Sequence, residues 1–137
     1  MLQYPRLILV LLVSTLASQT GFARDPIAYT LRFPDASAHY MDVEMVIPTE
    51  RAKELNLFLP TWTPGSYLVR EYSRNIISLE ATASGSSLEV TKTSKNRWTV
   101  KSKGTASVTI NYRLFCREIN VRNNWVETDF AVVNGAP

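Results

Sequence analysis

Tyr40-Met41-Asp42-Val43-Glu44-Met45-Val46-Ile47 alternates without a break. Met41, Val43, Met45 and Ile47 fall on one side and Tyr40, Asp42, Glu44 and Val46 on the other, the period of two of a strand with one buried face. The same pattern recurs along the chain. Before it, Ile27-Ala28-Tyr29-Thr30-Leu31-Arg32-Phe33 alternates and ends at the turn Pro34-Asp35-Ala36-Ser37. After it, residues 54–59 place Leu55, Leu57 and Leu59 on one side, and residues 75–83 place Ile77, Leu79 and Ala81 on one side. Ser84-Gly85-Ser86 then offers a hairpin turn. Residues 88–91 and 97–100 are two short strands joined by Ser94-Lys95-Asn96, and Val108-Thr109-Ile110-Asn111-Tyr112-Arg113-Leu114-Phe115 is the strongest strand signal. Sustained helical periodicity is missing after residue 24. About seven short strands linked by turn residues predict an all-β fold, an antiparallel β-sandwich. Asn134-Gly135 offers one more turn with almost nothing after it. The sandwich is therefore expected to be incomplete at its C-terminal end, with a strand edge left unpaired.

Residues 1–23 read differently. One positive charge, Arg6, precedes the apolar run Leu-Ile-Leu-Val-Leu-Leu-Val-Ser-Thr-Leu-Ala at residues 7–17, and Gly21-Phe22-Ala23 puts small residues where a signal peptidase cuts. That is the three-part layout of a secretory signal peptide, expected as a helix ahead of the domain at residues 24–137. The apolar run is shorter than the roughly 20 residues a membrane span needs. The expected location is periplasmic or secreted, with no stable membrane anchor after cleavage.

The 137 residues carry a formal net charge of +3, spread singly along the chain. No basic stripe exists for nucleic acid to follow. The single cysteine, Cys116, has no partner within the chain, so stability must come from an apolar core.

Chemistry is scarce. A zinc hydrolase site needs at least three side-chain ligands, usually with histidine among them, and His39 is the only histidine. No HExxH and no GxSxG motif is present. His39, between a turn and a strand, reads as a solvated or locally bonded imidazole, and Cys116 as a buried, inert thiol. Asp42 and Glu44 share a strand face, as a glycosidase pair would, but alternating strands ordinarily turn such a face to water.

The densest segment is Leu59-Pro60-Thr61-Trp62-Thr63-Pro64-Gly65-Ser66-Tyr67-Leu68-Val69-Arg70-Glu71-Tyr72-Ser73-Arg74-Asn75. Thr63-Pro64-Gly65 is turn chemistry. Ser66 is suited to cap a short helix over residues 67–73, on which Glu71 and Arg74 would pair. One reading is structural, with Tyr67 and Tyr72 packing under Trp62 and their hydroxyls in water. The other is a contact surface, because aromatics and arginines on a rigid loop are typical interface anchors.

Pro60-Thr61-Trp62-Thr63-Pro64-Gly65-Ser66-Tyr67 followed by Arg70-Glu71-Tyr72-Ser73-Arg74-Asn75-Ile76 resembles the N-terminal domain of the glycyl aminopeptidase family, PDZ-containing, thermolysin-like zinc metallopeptidases. Trp98, the Tyr112 strand, Val121-Arg122 and Asp129-Phe130-Ala131-Val132-Val133-Asn134-Gly135 look similar too, as do Tyr29-Thr30-Leu31-Arg32-Phe33 and His39-Tyr40 at the start. The resemblance implies a non-catalytic domain of an exported peptidase, packing on a catalytic domain that this chain lacks. No catalytic or metal-binding residue is expected in the chain itself. Zinc is expected only in that catalytic domain, and no cofactor here. Trp62, Tyr67, Arg70 and Arg74 are the candidate contacts to the catalytic domain or the substrate cleft. The alternative reading is a free-standing periplasmic module binding glycan or peptide, for which Trp62, Trp98 and Trp125 would have to form one platform. A further one is a periplasmic interaction protein adding a partner's strand to its open edge.

Overall fold

The computed structural model describes residues 25–135. The expected signal peptide lies outside them. Ten strands alternate along the described chain: β1 (Ala28–Arg32), β2 (Tyr40–Pro48), β3 (Leu55–Phe58), β4 (Ile76–Ala83), β5 (Ser86–Ser87), β6 (Val90–Ser94), β7 (Arg97–Val100), β8 (Ser107–Phe115), β9 (Trp125–Val126) and β10 (Ala131–Val132). The only helical pieces among these residues are single 3-10 turns at Ala36–Ala38 and Tyr72–Asn75. All pairings are antiparallel. A five-stranded sheet runs β1-β2-β8-β4-β5, a three-stranded sheet runs β3-β7-β6, and β9 and β10 form a small ribbon.

Register explains the core. Tyr29 stands opposite Met45, Met45 opposite Ile110, and Ile110 opposite Ala81; Leu31, Val43, Tyr112 and Leu79 make the next row. Both rows therefore lie on one face of the large sheet. The three-stranded sheet covers part of that face: Leu55, Leu57, Val90 and Val100 pack on Ile47, Ala81, Ala83, Val108 and Ile110. A second cluster, Met41, Val43, Leu114, Cys116 and Val126, ties the β9–β10 ribbon to the end of the large sheet. This is the sandwich expected from the alternation.

Two local details differ from the expectation. The β4–β8 register shifts between Ile76 and Ser78. This bulge turns Ile77 outward, 57% exposed, while Ile76 packs against the second cluster. The inward set on β4 is thus Ile76, Leu79, Ala81 and Ala83, because an extra residue in a bulge shifts every side chain before it to the other face. The stretch 88–91 is not one strand. Leu88 N donates to Ala81 O of the large sheet, whereas Glu89 O accepts from Lys101 N beside the small one, so the chain changes sheets at this corner. Ser84 and Gly85, both at positive φ (49° and 78°), close the β4–β5 hairpin as a two-residue loop of this kind requires.

The small sheet is too narrow to cover the large one. β1 and β3 each pair on one side only. Tyr29 and Leu31, on the inner face of β1, remain 60% and 41% exposed. Between β1 and β3 lies an open apolar cleft of about 480 Å³, whose lining includes Tyr29, Leu31, Met45, Leu57, Leu79 and Trp98.

Candidate functional site

The segment after β3 folds as a closed loop. Arg70 N donates to Thr61 O at 2.6 Å, and Thr63 and Ser66 bridge across it, with Ser66 N donating to Thr63 O at 3.0 Å. Gly65 sits at φ 81° between them, a conformation that glycine adopts without Cβ strain. The Arg70 guanidinium reaches back to Ser66 Oγ at 2.8 Å and to Leu68 O at 3.2 Å. The Ser66 hydroxyl is therefore occupied as an acceptor and caps no helix. The expected helix over residues 67–73 does not form; a single 3-10 turn follows at Tyr72–Asn75.

The four candidate residues divide into two pairs. Trp62 and Tyr67 stack with ring centroids 6.2 Å apart and planes 25° apart, and Tyr67 is 86% exposed. Leu68 and Val69 beside them are also exposed, so the loop presents a continuous apolar tip. Arg70 points into the loop and closes it, as described. Arg74 does not pair with Glu71. It pairs with Glu118, while Glu71 takes Lys95 Nζ at 2.6 Å, so both charges find partners from segments distant in sequence. Tyr72 is also not placed as expected: it is buried, and its hydroxyl has no hydrogen-bond partner.

Other polar groups are structural. Arg113 donates two hydrogen bonds to Asp42, Nε to Oδ1 at 2.6 Å and Nη2 to Oδ2 at 2.8 Å. These bonds, more than Arg113's charge, hold the Asp42 carboxyl below the usual carboxylate range. Glu44 faces Arg32 at 3.4 Å. Both carboxylates thus sit on a paired, solvated strand face. His39, at φ 64°, donates from Nδ1 to Val126 O at 2.6 Å and packs its ring 5.4 Å from that of Trp125. It fastens β9 to the start of β2. Cys116 is buried, and burial pushes its thiol up to about 11, which keeps it protonated and unreactive at neutral pH. Trp98 lies in the core at 6% exposure, so the three tryptophans do not share a platform. Among the described residues no group of three His, Cys, Asp or Glu side chains is placed to hold a metal ion.

A sequence profile, that of the Peptidase M61 N-terminal domain, matches residues 28–137. The chain belongs to the M61 peptidase family. Its place there is that of an N-terminal domain, and the glycyl aminopeptidase resemblance read from the Trp62 segment agrees with it. A crystal structure of an aminopeptidase N family protein from Idiomarina loihiensis is similar at 35% identity, with a TM-score of 0.69. The likeness covers 74% of this M61 domain chain and 17% of that protein's chain, so the chain spans a small part of its solved relative. No curated protein matches it.

Proposed function

We propose that this chain is the non-catalytic N-terminal domain of an exported, glycyl-aminopeptidase-like zinc metallopeptidase, and that it packs on a catalytic domain carried elsewhere in a longer polypeptide. The observation that carries this reading is the open apolar cleft between β1 and β3. A sheet face with Tyr29 and Leu31 half in water is costly to leave bare, since covering a large apolar side chain is worth about 1.5–3 kcal/mol. The occupant is the remainder of the M61 enzyme, because the matched family is defined as an N-terminal domain and the solved relative is several times longer. The Trp62–Tyr67 tip, with Leu68 and Val69, supplies a second contact of the kind that forms the centre of interfaces. Arg70 contributes by fixing that tip, and Arg74 by its exposed pair with Glu118 at the edge. In this reading zinc and the peptide-cleaving groups reside in the catalytic domain. Export rests on the signal-peptide layout of residues 1–23 and places the enzyme in the periplasm or outside the cell.

The test is a glycyl-anilide assay on the purified chain, alone and mixed with the separately expressed remainder of an M61 peptidase. The chain alone should release no glycine and should associate with the remainder. Trp62→Ala should weaken that association by about 2 kcal/mol, the size of a central anchor. Glycine release by the isolated chain after exhaustive purification would contradict the reading, as would absence of any association.

A further inference from the structure

The outer edges of the two main sheets are not alike. β5 ends the large sheet with only two residues. β6 ends the small sheet with Lys92 and a register shift between Lys92 and Ser94. A short strand, a lysine and a bulge are devices that keep an edge from pairing further. β3, on the other side of the small sheet, is Leu55-Asn56-Leu57-Phe58, with no charge, proline or bulge. Leu59 N donates to Asn96 O at 3.0 Å, one step beyond the Phe58–Arg97 pair. Antiparallel pairs alternate between bonded and unbonded. Leu57 and Leu59 therefore turn their N–H and C=O to β7, and Asn56 and Phe58 turn theirs to the open side. Two donors and two acceptors thus lie along the apolar cleft, whose lining includes Leu57, Phe58, Leu59 and Pro60. The fourth edge, β1, would widen the larger sheet if it gained a strand. A strand added to β3 would instead extend the narrow sheet over Tyr29 and Leu31, because β6 meets the β5 side at the Leu88–Glu89 corner and β3 lies toward β1.

The chain itself leads into this space. Val133, Asn134 and Gly135 follow β10 and line the cleft. Asn134 is held there, its N–H on Asn124 Oδ1 at 2.7 Å and its Nδ2 on Val121 O at 2.8 Å. The ribbon that these residues leave packs at the Met41–Leu114 end of the large sheet. β3 runs toward that same end: Leu55 packs with Ile47 and Val108, while Leu59 and Pro60 line the cleft with Met41 and Leu114. A segment entering past Gly135 therefore runs antiparallel to β3. A small apolar ligand would fill the cleft and leave the backbone groups of Asn56 and Phe58 on water. An extended segment takes both, since one side of it bonds an edge while its alternate side chains point to one face.

We propose that the cleft receives an extended segment with alternating apolar side chains, antiparallel to β3 and bonded to the backbone of Asn56 and Phe58, and that this segment is the one directly after residue 137 in the longer M61 polypeptide. This deepens the proposed function, on which it rests for that polypeptide. The test is amide hydrogen exchange by ¹⁵N NMR on the full chain, with a synthetic peptide of about ten residues copied from an M61 peptidase, starting just past the residue aligned with Pro137. Bound peptide should slow exchange at Asn56 and Phe58 about tenfold or more. N-methylation of one alternate set of the peptide's amides should weaken binding about tenfold, and methylation of the other set should weaken it far less. Phe58→Pro removes an N–H that β7 does not use, so the variant should fold and lose the peptide, while Phe58→Ala should retain most of the binding. The methylated peptides decide the matter should Phe58→Pro fail to fold. Equal binding of the plain and both methylated peptides, protection at Tyr29 and Leu31 in place of Asn56 and Phe58, or no binding at about 1 mM peptide would each overturn the assignment. Peptide binding without association of the remainder of the peptidase would sink the proposed function alone, and association without peptide binding would sink this inference alone.

Discussion

At the scale of single residues, buried polar contacts decide what can be altered. Cys116 carries a thiol whose ionisation is pushed up to about 11 by burial. Iodoacetamide at pH 8 should therefore label it only after the domain is unfolded in urea, and mass spectrometry should show no adduct on the native chain within the same time; rapid native labelling would contradict its placement. Asp42 gives a pH dependence whose sign follows from its bonds to Arg113. Its carboxyl titrates lower in the folded state than the unfolded value near 3.9. Its contribution is then present above that value and lost as pH falls through the folded one. Asp42→Asn should unfold at a lower temperature than the parent at pH 7, and the difference should shrink on going toward pH 2. A difference that stays constant with pH would place Asp42 outside the pair. His39→Ala should cost about 1 kcal/mol for the hydrogen bond to Val126 O, with a change in Trp125 fluorescence reporting the loosened β9.

Elements show what alternation conveys and what it omits. The inward faces of β2 and β8 follow from period two in the sequence, since Met41, Val43, Val108 and Ile110 repeat on it and are all buried. At Ile76 and Ile77 the sequence offers two equal apolar residues, and only the pairing of β4 with β8 chooses between them. Ile77→Ser should change stability by less than about 0.5 kcal/mol, as surface changes do, whereas Ile76→Ala should cost about 1–2 kcal/mol as a partly buried apolar truncation. Urea titration of both variants checks the bulge, and the reverse order would refute it. The Trp62 loop was illegible for a related reason. A serine ahead of a polar-aromatic stretch is a fair helix start, but Arg70 closes the chain on Thr61 and claims the Ser66 hydroxyl. Both bonds join residues whose approach local spacing does not specify. The Trp62–Tyr67 pair was visible as aromatic clustering. The burial of Tyr72 and Asn123 was not, because the two are about fifty residues apart and nothing in either neighbourhood marks its polar atom as unpartnered.

For the whole molecule, the question is what covers the sheet face that one narrow sheet leaves open. A three-stranded sheet over a five-stranded one leaves the β1 side bare. Single proteins ordinarily cover such edges and faces, or mark them as contact sites. The proposed function assigns that cover to the remainder of a longer M61 peptidase. Hydrogen exchange tests this most directly. Amide exchange should be measured across β1 (Ala28–Arg32) and β3 (Leu55–Phe58) in the isolated chain and in the same sequence joined to the remainder of an M61 peptidase. The account predicts fast exchange at these two edges in isolation and strong protection in the joined protein, with β8 (Ser107–Phe115) slow in both. Equal exchange at β1 and β3 in the two proteins would contradict it.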